Sequence, residues 1–259
     1  MTELLAILTQ LSGLGERMIW SAVVVFLRVG SAMALLPAFG EQAVPQRVRL
    51  VLALAFTAVV APSVSSQIPE PELGLALPLA VEVVVGLMLG IGLRLFVLAL
   101  QMAGTIAAQA MSLSQLFGGT GPEPQPAVAN LLVMGGLALA VMAGLHVRIA
   151  QLLIFSYEML PPGKFPEAAD LARWGVSQIS RAFSLAFSLA APFTIAALLY
   201  NIALGVINRA MPTLMVTFVG APALTIGGLI LLAVVAPPAL AIWVEGLQGF
   251  LANPFPALP

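Results

Sequence analysis

The chain has 259 residues, of which 61% are apolar and only 8% are charged, and its formal net charge is −1 at neutral pH. An average soluble domain is about 45–50% apolar and about 25% charged, so a soluble fold could not cover its surface, and this chain must face lipid or apolar partners. The nearly neutral charge excludes the basic surface of a nucleic-acid-binding protein. The absence of cysteine and the single histidine exclude disulfides and the usual thiolate and histidine metal sites, and we expect no cofactor.

Apolar stretches follow one another along the whole chain, and a membrane-spanning helix needs about 20 such residues. The first residues lack the basic region of a signal peptide, and a short apolar helix is expected at 3–15. Longer apolar segments occupy residues 19–36, 50–60, 75–100, 127–147, 182–207 and 214–244. This order predicts an all-α integral membrane protein with about six hydrophobic segments, several of them broken into helical hairpins.

Polar or Pro- and Gly-rich stretches separate these segments. The second segment ends at Pro62 and is short for a membrane crossing. The sequence GGTGPEPQP at 118–126 is the most loop-like part of the chain, and residues 161–181 form the most charged stretch, which predicts a polar linker. Basic residues follow both the first and the fourth segments, which lie on opposite sides in a simple alternation, so positive-inside counting gives no orientation.

Three charged residues interrupt the apolar segments: Arg28, Glu82 and Arg94. A charge at the centre of a membrane helix costs about 2.5–3.5 kcal/mol, so such residues normally face a bundle interior, a partner or a water-filled path. Two interpretations are open for Arg28 and Glu82. Either they serve a polar pathway or a buried pair with each other, or they only fix packing through an ion pair within the chain or with another subunit.

Helix-breaking residues lie inside the last two long segments, at Pro192 and around Gly220 and Pro222. A broken backbone at membrane depth must be surrounded by protein or by a wet cavity, so these positions predict protein-surrounded or pore-lining backbone. Gly86 and Gly90 form a GxxxG pattern, which favours close packing of helices.

His146, the only histidine, lies at the end of an apolar segment. A proton-relay role and a capping or interfacial role are both open for it. No nucleophile–base set surrounds it in the sequence, and the nucleotide-binding pattern GxxxxGK(S/T) is absent. The sequence therefore predicts a protein that is not an enzyme.

Four groups of residues occur in a characteristic order. They are Arg28, Pro37, Phe39, Gly40, Pro45, Arg47 and Arg49; Glu82, Gly86, Gly90, Gly92 and Gly104; Gly144, His146, Ser156, Pro162 and Gly163; and Asn201, Gly205, Arg209, Pro212, Gly220 and Pro222. Over about residues 13–247 this order resembles the FliR family of the flagellar export apparatus, called SctT in virulence-associated type III secretion. The chain departs from the family pattern in the loop after the third segment, where Gly-Pro and Glu-Pro replace Asp-Pro. It departs again at Thr213 and Met215, where the family has Gln and Asn.

The resemblance implies a non-enzymatic, pore-forming and structural subunit of the flagellar type III protein export gate. Unfolded flagellar proteins would cross the bacterial inner membrane through this gate at the flagellar basal body. The implied partners are FliP, FliQ and a FlhB-like switch protein, besides membrane lipid. The whole chain, 1–259, would be one membrane-embedded domain packed in a hetero-oligomeric helical assembly.

A loop that helps to plug the closed pore is also implied by the resemblance, and by its position it would lie at about 110–126. Its apolar and glycine candidates are Leu113, Leu116, Phe117, Gly118 and Gly119. An apolar, glycine-rich loop can seal a wet constriction and move aside.

Two other functions remain as alternatives. A secondary transporter or channel for small solutes would suit the broken helices and the intramembrane charges, but it predicts an internal repeat, and none is detected in the sequence. An intramembrane enzyme would need a catalytic pair such as His146 with a carboxylate, and no convergent set is visible.

Overall fold

The computed structural model describes residues 2–41, 44–69, 76–111, 127–211 and 216–255, with the backbone alone described at 2–14, 76 and 216–222. Its helices are α1 (Thr2–Met33), α2 (Gln46–Val64), α3 (Ala76–Ala110), α4 (Ala127–Met142), α5 (Leu145–Met159), α6 (Ala168–Ala210) and α7 (Val216–Ala252). A short 3-10 helix, Ser65–Gln67, follows α2. Across the described ranges there is no strand.

Several of these helices have membrane length. Gln46–Gln67, Leu77–Ala110, Ala168–Ala210 and Ala223–Ala252 are each long and apolar enough to cross a bilayer, and α4 with α5 qualifies as one further, broken span. The prediction of an all-α membrane protein is confirmed. The expected hydrophobic segments, about six in number, each overlap a helix, and the described residues hold four or five spans of membrane length.

Some helix boundaries differ from those expected. The short helix expected at 3–15 is not a separate helix, because α1 runs without interruption from Thr2 to Met33. Pro62 does not end α2, which continues to Val64. A proline lacks the N–H group of one helical hydrogen bond, but the other backbone hydrogen bonds of that turn are still made. The stretch 161–181 is a linker only up to residue 167, because α6 begins at Ala168.

The helix breaks expected in the last two segments are not breaks in the structure. α6 continues through Pro192, and α7 continues through Gly220 and Pro222. An apolar helix tolerates proline because only one backbone hydrogen bond is lost and neighbouring groups can satisfy the freed carbonyl. Each of these two prolines therefore removes one backbone hydrogen bond from its helix without interrupting the helix.

The described residues form two compact units. The first comprises residues 1–94, 143–176 and 249–259, and the second comprises residues 95–142 and 177–248. In the first unit α1 packs against α2, and α2 packs against α5.

The GxxxG pattern brings α1 and α3 close together within the first unit. A β-carbon added at Gly86 would lie 2.2 Å from the backbone oxygen of Arg28, and one at Gly90 would lie 2.9 Å from that of Ala32. Because no side chain fits at such distances, only glycine allows this approach. The contact sets the register of the two helices and brings residue 82 to residue 28.

Trp243 belongs to the second unit. Its side chain is fully buried, and its Nε1 donates a hydrogen bond to the backbone oxygen of Phe96 at 2.8 Å. Gly136 of α4 lies beside the indole ring, where an added β-carbon would be 3.3 Å from Cζ3. At Gly104 of α3 an added β-carbon would be 2.3 Å from the Cα atom of Ala129. Small residues therefore let α3, α4 and α7 pack closely in this unit.

Candidate functional site

A buried ion pair joins α1 and α3 in the first unit. The Arg28 guanidinium and the Glu82 carboxylate contact each other twice, with Nε–Oε2 at 2.7 Å and Nη2–Oε1 at 3.0 Å. Both side chains are almost inaccessible, at 0% and 1% exposure. Two parallel hydrogen bonds are the geometry in which arginine holds a carboxylate most tightly. The ion pair that was one of the two interpretations of the sequence is therefore present.

α5 and the residue after it complete the surroundings of this pair. Arg28 Nη1 donates to Ser156 Oγ at 3.1 Å, and Nη2 donates to the backbone oxygen of Leu160 at 3.0 Å. The ring of Tyr157 lies with its centroid 3.7 Å from Arg28 Cζ, and its hydroxyl donates to Glu82 Oε2 at 3.2 Å. Three helices thus meet at what we call the Arg28 cluster: Arg28, Glu82, Ser156, Tyr157 and the Leu160 carbonyl.

The Arg28 cluster is closed to solvent, and its two charges cancel. Among the described side chains, the only buried polar atom without a hydrogen-bond partner is the amide nitrogen of Gln178, which lies outside the cluster. Removing one partner of such a buried pair leaves an uncompensated charge, at a cost of about 3–5 kcal/mol. A fully bonded, inaccessible arrangement supports the packing interpretation over the polar pathway.

The loop between α1 and α2 carries the rest of the first motif group. The Gly40 N–H donates to the Leu36 backbone oxygen at 2.7 Å, and a β-carbon at Gly40 would lie 2.8 Å from a backbone oxygen of the preceding turn. The turn therefore requires glycine at this position. Pro37 is buried, and the Phe39 ring meets Phe56 edge-on, with centroids 6.0 Å apart. The motif residues thus fold one tight turn.

Two arginines from neighbouring helices hold this loop. Arg49 donates from Nη2 to the Glu41 backbone oxygen at 3.1 Å and from Nε to the Val44 backbone oxygen at 3.0 Å. Arg94 forms a salt bridge with the Glu41 carboxylate, with Nη1–Oε1 at 2.5 Å. These side chains are 29% and 26% exposed, so the pair contributes about 1 kcal/mol or less. The third intramembrane charge thus has a partner of its own and does not join the Arg28 cluster.

The remaining predicted positions do not gather at one site. Pro45 and Arg47 are exposed at the start of α2, and Asn201, Gly205 and Arg209 are exposed along the last turns of α6. The plug candidates and one motif residue lie outside the described residues: Leu113, Leu116, Phe117, Gly118, Gly119 and Pro212.

His146 is exposed in the first turn of α5. It lies two residues after Gly144, which has φ of 81° in the left-handed region that favours glycine. The described part of the chain holds no group of three histidine or carboxylate side chains that could bind a metal ion. The geometry adds no support for a proton relay at this residue.

Comparison with known proteins identifies the family. A family model described as bacterial export proteins, family 1, matches residues 19–250. Over 239 residues the chain is 35% identical to the flagellar biosynthetic protein FliR of Caulobacter vibrioides, and the match covers 90% of this chain and 95% of that protein. This chain belongs to the FliR family. The resemblance drawn from the order of motifs is therefore confirmed.

Two further FliR proteins are similar to this FliR-family chain. The FliR protein of Escherichia coli is 30% identical over 221 residues, which cover 82% of each chain. The FliR protein of Bacillus subtilis is 26% identical over 207 residues, which cover 77% of this chain and 80% of the relative. The similarity extends over most of each protein, so it is not confined to one motif.

Within this FliR-family chain, the sequence marked Ser156 only through the order of motifs and did not mark Tyr157 or Glu41. A tyrosine among apolar residues looks like ordinary core, and the Glu41 carboxylate lies in a polar turn where it looks solvated. The signal available for Tyr157 was indirect. A buried carboxylate such as that of Glu82 needs further hydrogen-bond donors besides arginine.

Proposed function

We propose that this chain is the FliR-type subunit of the flagellar type III protein export gate. In this role it helps unfolded flagellar proteins to cross the bacterial inner membrane, and it catalyses no reaction itself. The observation that carries the proposal is the match to 95% of the length of a flagellar biosynthetic protein FliR. A shared fold alone would not imply a shared function, but similarity along nearly the whole chain supports one.

Exposed apolar surface supports a place inside a larger assembly. On α6, Ile195, Leu198, Leu199, Ile202 and Val206 are 56–65% exposed and recur at helical spacing. Such a stripe needs lipid or apolar protein to cover it. We assign this stripe to contact with FliP or FliQ, with a FlhB-like switch protein as a further neighbour and lipid around the assembly.

The Arg28 cluster would give the subunit a fixed frame. It ties α1, α3 and α5 together through charged hydrogen bonds that no water reaches. Charge-assisted bonds of this kind are directional, so they hold helices in one arrangement more strictly than apolar contacts alone. A subunit that lines a channel for unfolded chains needs such fixed contacts between its helices if the channel is to keep its shape.

The loop at about 110–126 is the proposed closing element. Its start lies at the end of α3, which reaches Ala110, and it carries Leu113, Leu116 and Phe117 next to a pair of glycines. Apolar side chains can exclude water and ions from a narrow channel by dewetting it. Glycines lower the cost of moving such a segment aside when a substrate passes.

Loss of this chain is expected to stop the export of flagellar proteins. The measurement is the amount of hook and filament protein in the culture medium of a strain that lacks the gene, with the intact gene supplied on a plasmid as control. In the restored strain the chain should copurify with tagged FliP and FliQ. Normal export without the chain, or solute transport by the purified chain in vesicles, would contradict the proposal.

Deletion of residues 113–120 is expected to raise the ion leak of resting cells several-fold, because apolar surface that closes the channel is lost. The leak is measured as loss of membrane potential with a fluorescent dye. Cells that also lack FliP provide the control, since no gate assembles there and the leak should return to background. If leak and export both stay at wild-type levels, this segment does not close the gate.

A further inference from the structure

An apolar groove of about 440 Å³ lies between α3 and α6 in the second unit. It follows α3 from Leu95 to Ile106, which is about 17 Å or three helical turns. The buried Ala182 and Ala186 of α6 line it and pack against Ala99 of α3. Because alanines are small, the two helices approach closely there, and larger side chains on either side form the walls of what we call the α3–α6 groove.

The walls of the α3–α6 groove carry large apolar side chains that remain exposed. On α6, Ile179, Phe183 and Phe187 are 48%, 49% and 61% exposed, and Leu98 of α3 is 38% exposed. Covering such side chains removes a large apolar area from water, and phenylalanine contributes most per residue. Water is therefore a poor occupant of this groove, and an occupant with apolar side chains or chains of its own is favoured.

One amide interrupts the apolar lining of the α3–α6 groove. It belongs to Gln101, which lies on α3 and is half-buried. The nearby hydroxyl is satisfied, since Thr105 Oγ1 donates to the backbone oxygen of Gln101 at 2.8 Å. Within the ranges that the structure describes, the side-chain amide of Gln101 makes no hydrogen bond. An amide covered without a partner costs free energy, so a lipid chain is also a poor occupant.

The α3–α6 groove continues into the exposed apolar stripe of α6 that we assign to contact with FliP or FliQ. Leu198 of that stripe follows Phe187 by about three helical turns, so the two side chains lie on one face of α6. Both are more than half exposed, at 61% each. The groove and the stripe thus form one continuous surface within the second unit.

We propose that the α3–α6 groove seats a helix of a neighbouring subunit. Apolar side chains of that helix cover Phe183 and Phe187, and one serine, threonine, asparagine or glutamine bonds to the Gln101 amide. A protein helix supplies both kinds of contact, whereas water and lipid chains each supply one. Such polar side chains bond across packed helices in membrane proteins. This inference rests on the proposed function, in which the neighbouring subunits are FliP and FliQ.

The occupant is identified by placing the photo-crosslinking amino acid p-benzoylphenylalanine at Phe183 of the full-length chain in living cells. Irradiation is expected to join the chain to FliP or FliQ, and mass spectrometry identifies the adduct. The same probe at Arg181 is the matched control, because this residue is exposed on the opposite face of α6. It should give several-fold less of that adduct. An adduct with lipid alone, no adduct, or equal yields at the two positions would overturn the proposal.

Gln101→Leu tests the role of the amide in the Phe183 crosslinking chain. Leucine is similar in size, and the amide makes no bond within the described chain, so the amount of chain in the membrane should not change. The yield of the adduct with FliP or FliQ should fall several-fold. Gln109→Leu is the control, since Gln109 is exposed about two turns further along α3 and outside the groove. If Gln101→Leu leaves the yield unchanged, no helix bonds to this amide and the proposal is wrong.

Failure of this inference can be distinguished from failure of the proposed function. If the chain copurifies with FliP and FliQ and Phe183 joins only lipid, the export-gate function stands and the groove seats no helix. If the chain copurifies with neither subunit and export continues in its absence, the proposed function itself is wrong.

Discussion

Glu82→Ala is expected to remove nearly all of this chain from assembled export gates and to stop swimming. The substitution leaves the Arg28 guanidinium buried without its carboxylate, and breaking a buried ion pair costs about 3–5 kcal/mol. That is a large fraction of the about 5–15 kcal/mol that stabilises a typical fold. The measurements are the amount of chain that copurifies with tagged FliP and the spread of cells in soft agar.

Glu41→Ala is the matched control, because it also takes a carboxylate away from an arginine. The side chains of Arg94 and Glu41 are 29% and 26% exposed, and exposed pairs contribute about 0–1 kcal/mol. Assembly and swimming should therefore stay close to wild type. Equal losses with the two substitutions would mean that burial of the pair is not what matters.

The double substitution Arg28→Leu with Glu82→Leu separates packing from a role of the charges in transport. Apolar replacement of a buried pair is often neutral or stabilising, so assembly should recover. The recovery should be partial, because the Tyr157 hydroxyl loses its acceptor. If the pair only packs helices, export recovers with assembly. Assembly without export would give the charges a part in transport.

Gly86→Ala is expected to be nearly as damaging, although it adds a single methyl group. The new β-carbon would lie 2.0 Å from Ser31 Oγ and 2.2 Å from the Arg28 backbone oxygen. The hydroxyl can rotate, but the backbone oxygen cannot, so α1 and α3 must separate and the adjacent ion pair must stretch. Overpacking costs about 1–3 kcal/mol, and we expect a several-fold loss of chain from purified gates.

Gly175→Ala provides the control for this effect, because it lies in α6 and an added β-carbon there meets nothing within 4 Å. Alanine also favours a helix more than glycine does, so assembly should be unchanged. Limited proteolysis of membranes gives a second measurement, since separated helices expose more backbone. If Gly86→Ala assembles as well as Gly175→Ala, α1 and α3 do not pack this closely.

Two features of the Arg28 cluster could be predicted from the sequence. An apolar segment offers very few counter-charges, so an ion pair between Arg28 and Glu82 was one of the open interpretations, and the GxxxG pattern favoured a close helix contact. The contribution of α5 could not be predicted. α5 supplies a serine hydroxyl and a phenol, and the residue after it supplies a backbone carbonyl. Every residue has such a carbonyl, so no residue type marks that acceptor in the sequence.

Helix ends were harder to predict than the helices themselves. The charges within 161–181 suggested a linker, but Asp170 and Arg173 form an ion pair three residues apart, a spacing that lies on one helix face. Prolines suggested breaks in α6 and α7, yet both helices continue through them. Composition gives the polarity of a stretch, whereas packing decides whether its backbone is helical.

The spacing of the Arg28 cluster along the chain has a consequence for synthesis. Glu82 lies 54 residues after Arg28, and Ser156 lies 128 residues after it. At about 5–20 residues per second, the ribosome delivers the carboxylate about 3–11 s after the arginine. During that interval α1 carries a cation that has not yet met its partner. Insertion of α1 before α3 would place this unpaired cation in the bilayer, which costs about 2.5–3.5 kcal/mol at a helix centre, and the arrival of Glu82 with α3 removes that cost.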